Sequence, residues 1–375
     1  MTTILFNDQY LAQHTANMRS ALCLARSGLG ATGENPTVGC VIVDQRGRIV
    51  GSARTADNGR PHAETSALVI ADSSAKGGTA YVTLEPCSHT GQTGPCCDAL
   101  IQAGIKVVFV ALKDPDPRVS GRGIERLQRS GIEVHVGLCE VEARECNRGF
   151  LSRVERGRPF VSLKIAGSLD GRIALASGES KWITSGAARA YGHRLRAEND
   201  AILVGIGTAL ADNPSLDCRL SGLEDKSPLR MVLDRRGQLP LNSQLVQSAA
   251  KRSLLVFSGS NVSNDWVSTL TKQSVEVCAD AIHNKNFDLG AVLSHLAEKG
   301  ISSVLVEGGG QTHAEFLRAD LVDEIQLFSA PKIIGGDGRA AIGNLQISSM
   351  ADLSKFETTS VERLGPDSLH VLRRK

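Results

Sequence analysis

The sequence predicts an α/β protein of two domains, and three observations carry that reading. The chain has 375 residues, more than one core usually organises. Short apolar runs bounded by turn residues alternate with segments of helical periodicity along most of its length, the pattern of sheets layered by helices. One polar stretch, Phe150 to Pro159, breaks the pattern with Arg153, Arg156 and Arg158, and Arg148 stands just before it. The domain boundary is placed there, giving 1–155 and 156–375.

In the first domain five apolar runs read as strands: Val38 to Val43, Gly47 to Ala53, Ala80 to Leu84, Lys106 to Leu112 and Ile132 to Val136. Gln45 to Gly47 is a turn that joins the first two as a hairpin, so the sheet is mixed. Helical periodicity lies near 11–27, 62–72, 96–103 and 121–130. The second domain opens with a strand in Phe160 to Gly171. A helix near 185–197 follows, then strands at Asp200 to Gly205, Leu229 to Asp234 and Ser253 to Phe257. A helix near 288–299, a strand in Ser302 to Gly310 and closing strands near 323–329 and 367–373 complete it. No fixed-period repeat or low-complexity tract interrupts either series.

Composition narrows the function. Hydrophobic residues are 41% and charged residues 22% of the chain, ordinary globular usage. A net charge of +2 creates no broad field toward nucleic acid or membrane. Aromatics at 4% do not make base-stacking platforms. The start, MTTILFNDQY, lacks a basic segment followed by an apolar one, and no uncharged apolar run reaches spanning length. The expectation is a cytoplasmic protein without a signal peptide. Nine cysteines, an odd number scattered from Cys23 to Cys278, are not a disulfide framework. Most read as small buried residues, a few as metal ligands.

The tripeptide His-Ala-Glu occurs twice, at His62 to Glu64 and at His313 to Glu315. The first follows Pro61 and opens a helix. After the next strand, Cys87 stands at a strand end and Cys96 in a first helical turn marked by Pro95, where backbone N–H groups favour thiolate. One imidazole and two thiolates make a Cys₂His zinc set with a fourth position for water. Glu64, not a ligand, is placed to carry protons between that water and a leaving amine. Zinc nucleobase deaminases use this arrangement, His-x-Glu followed by Pro-Cys-x-x-Cys; here eight residues, not two, separate Cys87 from Cys96. Cys97 shares an apolar face with Leu100 and Ile101 and reads as core, which favours Cys96. His89 is a candidate fourth ligand that would close the site and make it structural.

The second copy has no cysteine downstream. It follows a strand that runs into Gly308 to Gly310 and then a helix. Such glycines let backbone N–H groups approach a phosphate, although a plain tight turn has the same signature. His313 is read as a helix-start residue near a ligand, not as a metal ligand.

Longer motifs, ENPTVGCVIV, PHAE, VTLEPCSHTGQTGPC, KDPDPRVSGRG, SLDGRIALASGESKWIT, LADNPSLDCR and VEGGGQT, resemble in their order the bifunctional riboflavin-biosynthesis deaminase/reductase family over nearly the whole chain. The resemblance implies a cytidine-deaminase-like N-terminal domain, a three-layer α/β/α with a mixed sheet. It implies a dihydrofolate-reductase-like α/β C-terminal domain. The first would deaminate 2,5-diamino-6-ribosylamino-4(3H)-pyrimidinone 5′-phosphate with zinc. The second would use NADPH to reduce the ribosyl side chain to ribityl.

The resemblance also implies the site residues. His62, Cys87 and Cys96 match the zinc ligands, Glu64 the proton shuttle, and Asn35 the residue that holds the pyrimidine. Cofactor positions match Ala166, Trp182, Thr208, Asp212, Gly309, Gly310, Gln311, Thr312, His313, Ala314 and Glu315. Substrate positions match Ser180, Arg196, Leu216, Arg219 and Glu307. Lys164 is a further substrate candidate, or a solvated strand lysine. Arg235 departs from the family's serine, near where the cofactor's 2′-phosphate would lie. Asp170 and Gly171 read as turn chemistry, Gly335 to Arg339 as a loop. Partners are then a small phosphorylated pyrimidine and further copies of the chain, with no nucleic acid or membrane. Two rival readings stand beside this one. The first is a zinc deaminase of another nucleotide or a tRNA base with a C-terminal nucleotide-binding domain. The second is a non-catalytic zinc module.

Overall fold

The computed structural model describes residues 8–90, 94–117, 119–279, 282–283 and 286–375. The extreme N-terminus, residues 91–93 of the Cys87–Cys96 connection, and Arg118 lie outside them. The chain divides into two compact units, Met1–Gly157 and Arg158–Lys375.

The first unit runs α1 (Asp8–Ser27), β1 (Gly39–Val43), β2 (Ile49–Arg54), α2 (Ala63–Ala71), β3 (Thr79–Val82), α3 (Cys96–Gln102), β4 (Val107–Val110), α4 (Arg122–Arg129), β5 (Glu133–Val136), α5 (Glu140–Cys146) and α6 (Arg148–Arg156). Its sheet has the order β2-β1-β3-β4-β5. The first two pairings are antiparallel and the last two parallel. Period-two alternation buries both faces. Ile42, Val82, Val108 and Val110 pack with Ala63, Ala67, Leu100 and Leu127. Val41, Val43, Tyr81 and Phe109 pack with Met18, Leu22 and Ala143. The result is three layers.

The arginine-rich stretch differs from the expected interruption. Most of it is the helix α6, ended by Gly157 at φ 66°, a left-handed stop that glycine adopts freely. Only Leu151 and Ser152 of α6 are buried, too few positions to show a helical period in the sequence.

The second unit runs β6 (Phe160–Ser168), β7 (Arg172–Ala174), α7 (Gly186–Glu198), β8 (Ala201–Gly205), α8 (Ile206–Asp212), β9 (Leu229–Asp234), α9 (Gln244–Gln247), β10 (Leu254–Ser258), α10 (Asn264–Lys272), β11 (Val275–Cys278), β12 (Ile282–His283), β13 (Asn286–Phe287), α11 (Leu289–Glu298), β14 (Ser303–Val306), α12 (Gly310–Arg318), β15 (Glu324–Ala330), β16 (Arg339–Ala340), β17 (Phe356–Leu364) and β18 (Asp367–Arg374). Its main sheet has the order β11-β10-β9-β8-β14-β6-β15-β18-β17. Pairing is parallel from β11 to β15 and antiparallel through β18 and β17. Helices α11 and α12 cover one face through Leu289, Leu293, Leu296 and Phe316. Opposite, Leu195 of α7 packs with Leu305, Phe328 and Leu369. The strand β17 was not expected, because FETTSVERL is an exposed edge with no apolar run and is held by pairing to β18. No helix of the described residues is long and apolar enough to cross a membrane.

Candidate active sites

In the first unit, three element ends meet. His62 caps α2 with extended backbone, Cys87 follows β3, and Cys96 is the first residue of α3. The Nδ1 of His62 lies 3.2 Å from the Sγ of Cys96 and 3.7 Å from that of Cys87. All three donor atoms fall within 4.8 Å of one another. Ligands around a tetrahedral zinc at the usual bond lengths sit roughly 3.5–3.8 Å apart, so the trio fits that ion. The N–H of Cys96 also donates to the Cys87 sulfur at 3.3 Å.

The electrostatics already favour one thiolate. A hydrogen bond from Cys96, aided by His62, brings the Cys87 thiol down to about 4 although burial opposes it. Cys96, the donor in that bond and itself buried, is pushed up. His62 is raised, first by its hydrogen bond to Cys87. Glu64, in the first turn of α2 and only 3% exposed, is pushed to about 7 by burial, with His62 opposing. A carboxyl poised near neutrality beside a metal trio suits proton transfer.

The neighbours sort out. Cys97 is fully buried and its thiol donates to the carbonyl of Pro86 at 3.2 Å: it is core, as its helical face indicated. His89 is exposed and outside the trio. Asn35 reaches the same neighbourhood: a Cβ on Gly59 (φ 87°) would sit 2.1 Å from its Nδ2, three residues before His62. Sequence reasoning missed Glu85. Its buried carboxylate accepts the backbone N–H groups of Asp114, Gly121, Gly123 and Ile124 at 2.9–3.3 Å. It thereby fastens the KDPDPRVSGRG loop beneath the strand end that carries Cys87. The Glu-Pro-Cys triplet was the available signal.

In the second unit, an open cleft of about 780 Å³ lies at the carboxyl ends of β8, β9 and β14. That is a volume suited to a dinucleotide in the position where open α/β sheets bind ligands. Of the expected cofactor residues, Thr208, Asp212, Arg235, Gly309, Gly310, Gln311, Thr312 and Glu315 line it, with Ser180. The Gly309 N–H donates to the Thr208 hydroxyl at 2.9 Å. Glycines, hydroxyls and arginines suit phosphates, so the cleft fits NADPH. Arg236, Gln238 and Arg339 also line it and were missed: neither Arg236 nor Gln238 carries a site signature, and Arg339 ends the Gly335 to Arg339 stretch, which reads as a loop.

Apart from Ser180, which lines the cleft, the expected substrate residues gather around Glu307 and Asp217. Arg196 on α7 grips Glu307 through two bonds of 2.8 and 2.9 Å, and Lys164 lies 3.6 Å from the same carboxylate. Lys164 is therefore not a solvated strand lysine; its side chain is 20% exposed. Burial would raise Glu307, but Arg196 and Lys164 hold it at about 2. Arg219 extends into solvent near His193, 3.4 Å from its Nε2. Arg196 and His193 both reach the backbone carbonyl of Asp217. The side chain of Leu216 is core, with a left-handed backbone at φ 54°.

Several expected residues stand apart from the cleft. Ala166 packs on the core beside α7. Trp182 is 63% exposed with the Arg189 guanidinium over its ring at 4.4 Å, neither core nor cleft wall. His313 and Ala314 are buried and do not line the cleft. Asp170 does more than shape its own turn, accepting the N–H groups of Ile334 and Gly335.

Comparison with known proteins gives both units counterparts. Residues 159–370 match the profile of the RibD C-terminal domain. Residues 11–112 match the cytidine and deoxycytidylate deaminase zinc-binding region. The chain is 42% identical over 357 residues to the riboflavin biosynthesis protein RibD of Aquifex aeolicus, covering 95% of this chain and 97% of that protein. It is 41% identical over 367 residues to that of Escherichia coli, covering 95% and 98%. The solved structure of Acinetobacter baumannii RibD superposes with a TM-score of 0.88 at 38% identity, over 97% of this chain and 99% of that one. The Thermotoga maritima diaminohydroxyphosphoribosylaminopyrimidine deaminase/5-amino-6-(5-phosphoribosylamino)uracil reductase gives 0.86 at 36%, with coverage of 97% and 99%. With a Cys₂His trio in one unit and a dinucleotide cleft in the other, the chain belongs to the RibD family of riboflavin-biosynthesis proteins, as an enzyme that joins a zinc-dependent deaminase to an NADPH-dependent reductase.

Proposed function

We propose that residues 1–155 deaminate 2,5-diamino-6-ribosylamino-4(3H)-pyrimidinone 5′-phosphate and residues 156–375 reduce its ribosyl side chain, giving 5-amino-6-(5-phospho-D-ribitylamino)uracil. The observation that carries the first step is Glu64, a buried carboxyl near neutrality beside His62, Cys87 and Cys96. These three would hold a zinc ion, which would supply an activated water at neutral pH. Glu64 would take a proton from the attacking water and deliver it to the amine; the water oxygen bonds to the ring carbon that bears the amine, the C–N bond breaks and ammonia leaves. Asn35 offers an amide that both donates to and accepts from the pyrimidine edge.

In the second unit NADPH supplies the hydride. Thr208, Asp212 and Gly309 to Thr312 cradle the dinucleotide, and Arg235 stands at the 2′-phosphate. Lys164, Arg196, Arg219 and Glu307 receive the substrate. The exposed guanidinium of Arg219, set between Ser215, His193 and Asp217, forks onto its phosphate, while Glu307 fixes Arg196. The resemblance adds Ser180 and Leu216 to the substrate set, with Ala166, Trp182, His313, Ala314 and Glu315 to the cofactor set. The same reading takes the protein to be a cytoplasmic homo-oligomer.

The test is to supply the diaminopyrimidine nucleotide with and without NADPH and follow ammonia and NADPH absorbance separately. Ammonia should appear in both samples and NADPH be consumed only after it. NADPH consumption without prior ammonia release would reverse the order of steps.

A further inference from the structure

One wall of the cofactor cleft has no role in this assignment: the segment around Arg339, which reads from sequence as a plain loop. It forms β16, which pairs antiparallel with β7 and is tied down on both sides. Upstream, the Asp170 carboxylate accepts the N–H groups of Ile334 and Gly335 at 3.1 and 2.7 Å. Downstream, His313 meets the carbonyl of Ala341 at 2.9 Å through Nδ1, which must therefore carry the proton. The Gly343 N–H donates to the carbonyl of Gly310 at 2.8 Å. The strap lies so close to the start of α12 that a Cβ on Gly310 would sit 2.4 Å from the carbonyl oxygen of Ala340. This explains the second His-Ala-Glu: its histidine is a fastening for the strap.

What the strap carries is Arg339. The residue lines the cleft together with Gly309, Gly310 and Gln311. Its guanidinium has no hydrogen-bond or ion-pair partner among the described residues. Arg235 and Arg236 enter the cleft from the end of β9, which β8 and β14 separate from β6 in the sheet. The cleft thus holds cations at two places, as a dinucleotide with a pyrophosphate and a ribose phosphate requires. We propose that Arg339, delivered by the strap that Asp170 and His313 fasten, clamps the pyrophosphate of NADPH. The proposal rests on the second unit being the NADPH site.

Pyrophosphate is common to NADPH and NADH, whereas the 2′-phosphate belongs to NADPH alone, so the two dinucleotides separate the contacts. Both are titrated directly against the full-length protein by the fluorescence of the reduced nicotinamide. Arg339→Gln should weaken both by the same factor, roughly tenfold for one lost charge-assisted hydrogen bond. Arg339→Lys should recover part of the loss, and Arg235→Gln should weaken NADPH alone. If Arg339→Gln leaves both affinities unchanged, or weakens NADPH alone, the pyrophosphate assignment is overturned. If the wild-type protein binds neither dinucleotide, the reading of the unit as an NADPH site falls instead.

Discussion

The two units build their sites in opposite ways. In the first, the chemistry sits in a few side chains at three element ends: the donor atoms of His62, Cys87 and Cys96 lie within 4.8 Å of one another. Glu64 is buried beside them with its charge suppressed by desolvation. In the second, the cleft is walled by more than five segments, much of it glycine and backbone. Its buried charge, Glu307, is held in the opposite direction by Arg196 and Lys164. Burial acts on both carboxyls, and the neighbours decide the outcome. Glu64 faces one imidazole and two sulfurs and stays able to take a proton. Glu307 faces two cations and stays an anion, suited to holding other groups in place. A site that must move protons needs an underpaired acid, whereas a site that positions a ligand needs saturated pairs.

Four experiments would break or sharpen that contrast. The largest effect is expected from metal removal: chelation should abolish ammonia release while NADPH binding stays intact. Loss of both together would mean that the units do not work separately. Next, Glu64→Gln should retain zinc by metal analysis and lower ammonia release about 10²–10⁴-fold, the usual worth of a general acid–base. Deamination at the wild-type rate would remove Glu64 from the mechanism.

In the second unit, Arg196→Met leaves Glu307 buried with its main partner gone. Breaking a buried pair from one side costs about 3–5 kcal/mol, readable as a lower denaturant midpoint for that unit with ammonia release unchanged. A neutral result would show that Lys164 alone suffices. Smaller still is the pH effect of Glu307. Its folded value, about 2, lies below the ordinary 4.5, so its contribution is full above pH 4.5 and is lost as pH falls toward 2. The span amounts to roughly 3 kcal/mol. The stability gap between wild type and Glu307→Gln should therefore narrow between pH 5 and pH 3; a constant gap would contradict the depressed value.

The first site was largely legible in the sequence because its ligands are chemically rare and their neighbours mark helix starts. Pro61 before His62 and Pro95 before Cys96 announce first turns, and the apolar face shared by Cys97, Leu100 and Ile101 separates core sulfur from ligand sulfur. Glu85 escaped because its partners are backbone N–H groups, which no residue type announces. The second site was legible only along Gly308 to Glu315 and at motif residues. Arg236, Gln238 and Arg339 come from segments distant in sequence, and arginine is common on any surface. Trp182 shows the converse: a rare residue type drew attention, yet the structure places it in solvent against Arg189.

The sequence by itself determined the two α/β units, the kind of metal site in the first and the presence of a phosphate-type turn in the second. Each of these follows from local spacing, capping or residue chemistry, which are properties of neighbours along the chain. Tertiary structure alone decided which carboxyl keeps its proton, which arginines share the cleft, and that the second His-Ala-Glu fastens a strap. Burial and ion pairing are sums over atoms brought together from distant segments, and no single stretch of sequence contains them.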